Sequence, residues 1–208
     1  SHDAMRSFHE WISTTYPDFS RATERTIVGD YSLLFTWKGS DPSLKPILLM
    51  AHFDVVPVAP GSEDKWSHAP FSGDVADGFV WGRGSLDLKV ALVMQLEAAE
   101  ALIRSGFKPR RTIMFAFGHD EETGGAEGNG KIAAYLKERH LEFELVDDEG
   151  GAVTHGILPG IERPVAHVGV AEKGYVTLKL TARSEGGHSS LPQALGKTAI
   201  GRLAHALE

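Results

Sequence analysis

Three short apolar runs in this chain each break off at a histidine or a group of acids, and that pattern limits the folds open to it. The runs are ILLM at 47–50, TIMFAF at 112–117 and FELV at 143–146. They lead to His52, to Glu121 and Glu122, and to Asp147 and Asp148. Mostly apolar runs of this length read as buried strands. Helical patterns lie between them. Residues 89–105 are apolar almost all round, as in a buried helix, and Gly106 follows as a stop; 132–139 form a second helix. Strand and helix in alternation predict an α/β fold, a mostly parallel sheet flanked by helices. In such open sheets ligands bind beyond the carboxyl ends of the strands. The three polar clusters should therefore meet in one crevice. Charged groups are rarely buried there unless they are paired or hold a metal.

Ahead of the first run, 6–13 and 21–27 read as short helical or capping stretches, 31–38 as a strand and 39–46 as a turn-rich loop. The segment 57–78 is long, rich in Pro, Gly and Asp, and aperiodic. A loop of that length in a compact domain usually serves function. After about residue 172 the pattern changes. YVTLKLTA at 175–182 alternates and predicts a half-buried antiparallel strand. The loop GGHSSLP and a helix from about residue 194 follow. The expected organisation is a main α/β domain over 1–172, in its N-terminal part, and the start of a smaller α+β domain over 173–208. Ile200, Leu203, Ala204 and Leu207 form an apolar stripe at helical spacing that needs a cover. One strand and one helix cannot enclose a core, so the stretch is expected to belong to a longer polypeptide.

The 208 residues carry a formal net charge of -7 and no cysteine. The acidic balance argues against a broad nucleic-acid-binding face. Lack of cysteine removes disulfides, thiolate nucleophiles and Cys-ligated zinc. No apolar run approaches the roughly 20 residues that span a bilayer. Residues 1–5 are polar and read as no secretory leader. The compartment stays open between cytoplasm and export.

The chemistry rests on few residues. His52 and Asp54 lie two apart in an extended stretch and so face the same side. They read as a metal-bound imidazole oriented by a carboxylate, or as a capped turn before Pro57. Asp87 sits between a glycine turn and the apolar helix. It reads as a metal ligand able to bridge two ions, or as the helix N-cap, for which Asp is well suited. Of Glu121 and Glu122, one could bind metal and the other accept a proton from an activated water. The rival reading is an acidic helix start, which suits Asp120 better. Asp147 and Asp148 could be ligands or a solvated acidic turn. His188 lies in a loop of the second domain, where a lone histidine is usually polar surface.

Taken together, the segments MAHFDVVP, PFSGDVADGFVWGRGSLDLK, GHDEETGG, VDDEGG, PVAHVGVAEKGY and GGHSSLP resemble, in order, those of the dinuclear-zinc amidohydrolases. That family includes Gly-X carboxypeptidase, aminoacylase and the N-acyl-amino-acid hydrolases. The resemblance runs from about residue 47 to the end. It implies two Zn2+ ions, with Co2+ or Mn2+ as substitutes. His52 would bind one ion, Asp87 would bridge both, Glu122 would bind the other, and Asp148 would complete the set beside His52. Glu121 would be the general base and later the proton donor, Asp54 would orient His52, and His188 would stabilise the tetrahedral intermediate, often across a dimer interface. The implied reaction hydrolyses an amide bond and releases an amino acid from a short peptide or an N-acyl amino acid. The implied partners are that small substrate and a second copy through the lid domain, with no nucleic acid and no membrane. A deacylase for N-acetyl or N-succinyl amino acids is the alternative within the class; a non-catalytic binding module is the alternative outside it. Two departures stand out. Leu88 takes the place of the acid that usually follows the bridging Asp, and the family's further His ligand has no counterpart in these 208 residues, which alone would then be inactive.

Overall fold

The computed structural model of the chain describes residues 2–171, 173–188, 190–191 and 194–207. Helices α1 (His2–Thr15) and α2 (Pro17–Ala22) come first. Strands β1 (Glu24–Val28), β2 (Ser32–Trp37) and β3 (Ile47–His52) follow. A small hairpin, β4 (Asp74–Ala76) and β5 (Phe79–Trp81), precedes helix α3 (Val90–Arg104). Then come β6 (Ile113–Gly118), helix α4 (Asn129–Glu138) and β7 (Leu145–Asp147). The chain divides into two compact units, Ser1–Gly151 and Ala152–Glu208.

The first unit is built on one sheet in the order β1-β2-β6-β3-β7. β3 runs parallel to β6 on one side and to β7 on the other. β2 runs antiparallel to β6 and to β1. The sheet is thus mixed: the three strands that lead to the polar clusters are parallel, and the edge hairpin is not. β6 shows why its sequence is apolar throughout. Phe115 and Phe117 face a core shared with Leu92, Leu96 and Ala99 of α3 and with Ile12 and Phe19 of α1 and α2. Met114 and Ala116, pointing the other way, pack with Ile132 and Leu136 of α4. A strand covered on both faces has no polar side. The chain leaves β3 through α3 to β6 on one flank, then crosses through α4 to β7 on the other. Such a reversal of winding opens a crevice at the carboxyl end of the strand where it occurs, and that strand ends in His52.

The structure departs from expectation in the burial of α3, where only Leu92, Leu96, Ala99 and Glu100 are buried and Val90, Met94 and Leu102 are exposed, and at three further places. Residues 24–28 are a strand, not a helical stretch, because the β-branched Thr26, Ile27 and Val28 complete a hairpin with β2. At this sheet edge only Val28 is buried, which blurs the two-residue alternation. Residues 175–182 form no strand among the described residues. A half-buried strand needs a hydrogen-bonding neighbour and a covered face; Tyr175, Val176 and Leu178 are instead exposed. The unit boundary falls at 151/152 rather than 172/173. In the second unit a short strand β8 (Val153–Thr154) pairs antiparallel with β9 (Val165–Ala166) and joins no larger sheet. Its last element is helix α5 (Ala199–Ala206), capped by the Thr198 side chain, which accepts from the Gly201 N–H.

Candidate active site

His52 closes β3 and is buried. Its two nitrogens do different work. Nδ1 lies 3.2 Å from the Asp54 backbone oxygen and 3.3 Å from Asp54 Oδ1. Nε2 faces the crevice, 3.1 Å from Asp87 Oδ1, 3.3 Å from Glu149 Oε2 and 3.8 Å from Glu121 Oε2. Burial alone would depress the imidazole pKa; the carboxylates of Glu149, Asp54, Glu121 and Asp87 outweigh it and raise the pKa above its usual value.

Asp54 also reaches across to the next strand end. Oδ1 accepts the Glu121 N–H at 3.1 Å and Oδ2 accepts the Glu122 N–H at 3.0 Å. These groups open a single 3-10 turn, Glu121–Thr123, that begins just after β6. One carboxylate therefore ties the ends of β3 and β6 together. Glu122 turns inward, where Oε1 accepts the Val56 N–H at 3.2 Å. Glu121 is left facing the crevice. Desolvation raises its pKa, the charges of Glu122, Asp54 and Asp87 raise it further, and His52 pulls the other way.

Asp87 arrives by a different route. Gly84 has φ of 85°, in the left-handed region. A Cβ there would strike Val55 Cγ1 and come within 2.8 Å of Lys89 Nζ, so the turn requires glycine. Asp87 itself is extended, at φ -120° and ψ 98°. α3 starts only at Val90, with no side-chain cap on its first turn. The N-cap reading of Asp87 is therefore set aside: its carboxylate serves the crevice, not the helix. Behind the turn stands Lys89, a residue the sequence reading missed. Burial lowers its pKa while Asp54 and Glu122 act to raise it.

Among the described residues, two groups of donors have all their ligand atoms within 4.8 Å of one another: His52, Glu121 and Glu149, and His52, Asp87 and Glu122. Neither includes Asp148. The structure brings its neighbour Glu149 to His52 instead, at a bend just past β7. Burial, then the charges of Glu121, Asp87 and Asp148, raise the Glu149 pKa against the pull of His52. His188 belongs to the second unit, where its Nδ1 accepts the Ser190 N–H at 3.2 Å. One imidazole among carboxylates is a donor set for a divalent ion of the zinc, cobalt or manganese kind. Several acids packed at this distance repel one another unless a cation neutralises them.

The profile of peptidase family M20/M25/M40 matches residues 48–203. The chain belongs to that family. Its relatives include the probable carboxypeptidase S-like 2 of Dictyostelium discoideum, 45% identical over 96% of this chain and 38% of the relative. The N-fatty-acyl-amino acid synthase/hydrolase PM20D1 of Xenopus tropicalis is 44% identical over 98% of this chain and 39% of the relative. The chain thus spans about two fifths of the length of these relatives. Among solved structures, an M20 family metallo-carboxypeptidase of Sulfolobus solfataricus superposes with a TM-score of 0.57, at 20% identity, over 73% of this chain and 32% of that one. Human carnosine dipeptidase 1 gives 0.55 at 20% identity, over 72% and 35%. These likenesses show that the mixed sheet flanked by helices is the fold of the family.

Proposed function

We propose that this chain carries most of the reaction centre of a divalent-metal amidohydrolase that releases an amino acid from an N-acyl amino acid or a short peptide. The observation that carries the reading is the Nε2 atom of His52, ringed by Asp87, Glu121 and Glu149 at 3.1 to 3.8 Å. His52 and Glu149 would hold one ion, Glu122 a second, and Asp87 would lie between them. Glu149 replaces Asp148 in this assignment because of its distance to His52. When bound, the ions supply Lewis acidity that polarises the scissile carbonyl and makes a water acidic near neutral pH.

The chain's own residues do the rest. Asp54 holds the His52 ring through Nδ1, which leaves Nε2 unprotonated and free to ligate. Glu121 takes the proton of the attacking water and later delivers it to the leaving nitrogen. The raised basicity of its crowded carboxylate suits that task. By the family resemblance, His188 would donate to the developing oxyanion.

The substrate class rests on the named activities of the relatives, carboxypeptidases and N-acyl-amino-acid hydrolases. The test is a substrate panel on the full-length protein: benzyloxycarbonyl-glycyl-amino acids against N-acyl amino acids, with and without a chelator. Release of the free amino acid, abolished by the chelator and restored by Zn2+, Co2+ or Mn2+, is the expected result. Undiminished turnover in the metal-free protein would reject the proposal.

A further inference from the structure

The long segment 57–78, expected to serve function, contributes none of the donors around His52. It does run up to the turn that carries Asp87. Asp54 and Glu122 are held by backbone N–H groups. Asp87 meets only the His52 imidazole among the described residues, and its side chain is 69% exposed. Its place is therefore set by its backbone. That backbone is irregular, with Gly84 left-handed and Asp87 extended. Within it the Ser85 N–H donates to the Gly82 oxygen at 3.2 Å and the Lys89 N–H to the Gly84 oxygen at 3.0 Å. A turn with so few bonds of its own opens readily unless both ends are fixed. α3 fixes the far end, from Val90 onward. Arg83 fixes the near end. Its N–H donates to the Pro70 oxygen at 2.6 Å. Its guanidinium lies over the Trp66 ring, 5.2 Å from the centroid, close enough for a cation–π contact, and its Nε is buried. The segment that supplies Trp66 and Pro70 has bonds of its own. The His68 ring stacks on Trp81 at 4.6 Å, its Nδ1 meets Asp74 Oδ2 at 2.9 Å, and the Ser72 N–H donates to the Ala69 oxygen at 3.0 Å.

We propose that Arg83 is a positioning residue for Asp87: its guanidinium, laid on Trp66, fastens the long loop to the turn and holds Asp87 where two ions would share it. The inference rests on the divalent-metal reading above. Arginine suits the task because its planar, weakly hydrated head stacks on an aromatic face. The contact leaves Asp87 itself untouched, so the carboxylate stays open to metal while the frame beneath it is held. The loop thereby acts on the site from outside it, through one side chain and one main-chain bond of Arg83.

The experiment compares full-length wild type with R83M, W66L and the double variant, by hydrogen exchange and by metal affinity. R83M keeps an unbranched side chain and the main-chain bond to Pro70; W66L keeps apolar bulk. In the metal-free proteins, exchange at the Ser85 and Lys89 amides should quicken about two- to fivefold, the strength of one partly exposed cation–π contact, while α3 keeps its protection. Affinity for Zn2+, read by competition with a chromophoric chelator, should fall by a similar factor for both ions, since both share Asp87. The double variant should lose no more than the worse single one, because each change removes the same contact. R83K, which keeps a cation over the ring, should lose less. Unchanged exchange and affinity in R83M and W66L, with two ions bound to the wild type, would overturn this inference alone. So would losses that add in the double variant. A lowered urea midpoint with affinity unchanged would make the contact a prop for the loop and reject the positioning role. If R83M does not fold, W66L and R83K carry the same comparison. A wild type that binds no divalent ion would take the metal reading down together with this inference.

Discussion

Asp54 touches no substrate in the scheme above, yet it positions His52, Glu121 and Glu122. It holds His52 through Nδ1 and both glutamates through their N–H groups. Asp54→Ala should weaken metal binding by about 10- to 100-fold, as losses behind a ligand usually do; competition with a chromophoric chelator measures it, and an unchanged affinity would reject the positioning role. Glu121→Gln should act differently. Bound metal should stay near wild-type content while kcat falls about 10²- to 10⁴-fold, with both read on the same preparation. If turnover survives with metal in place, Glu121 is not the base. The residue types and their order were readable from the sequence because acids and histidine at the ends of apolar strands have few other uses. Choosing between Asp148 and Glu149 was not. Past the end of β7 the chain bends, strand alternation no longer dictates direction, and only coordinates show which neighbour reaches His52.

At the scale of elements, α3 does more than cover the sheet. Glu100, buried within it, accepts the N–H groups of Asp18 and Phe19 at 3.2 and 2.6 Å, and pairs with Arg104 at 2.8 Å. It thereby caps α2 from another helix, since Tyr16 supplies no side-chain cap of its own. Glu100→Ala leaves two donors in the first turn of α2 without partners, at about 1–3 kcal/mol for each buried one. The midpoint of urea unfolding should fall accordingly, with Glu100→Gln intermediate. An unchanged midpoint would show that water replaces the carboxylate. A glutamate on an apolar helix gives no hint of such a role in the sequence, because its partners lie some eighty positions away. By contrast β3 and β6 were legible, since each is buried or half-buried along its length and its pattern reflects that directly; α3 and α4 were legible as helices, but α3 buries only Leu92, Leu96, Ala99 and Glu100, and α4 only Ile132 and Leu136. β1, at the sheet edge, was not, and neither was the fate of residues 175–182. There an alternating pattern states a preference for strand, and pairing decides whether one forms.

Over the first unit as a whole, the sheet member with the fewest registered pairs is the strand that leads to Glu149. β7 meets β3 through three registered pairs only, from Ile47 with Leu145 to Leu49 with Asp147. Leu145 and Val146 are exposed. Glu149, just beyond, is the group that meets His52. Removal of metal should therefore loosen β7 before the rest: hydrogen exchange at 145–147 should quicken on chelation while β6, covered on both faces, keeps its protection. Equal exchange with and without chelator would contradict this. An ion held by residues 52 and 149 would be a reversible staple, closing a chain loop on the order of 100 residues, for which a covalent cross-link is worth about 4–5 kcal/mol. In these 208 residues, which hold no cysteine, the fastening that a disulfide provides elsewhere would then be one that a chelator can undo.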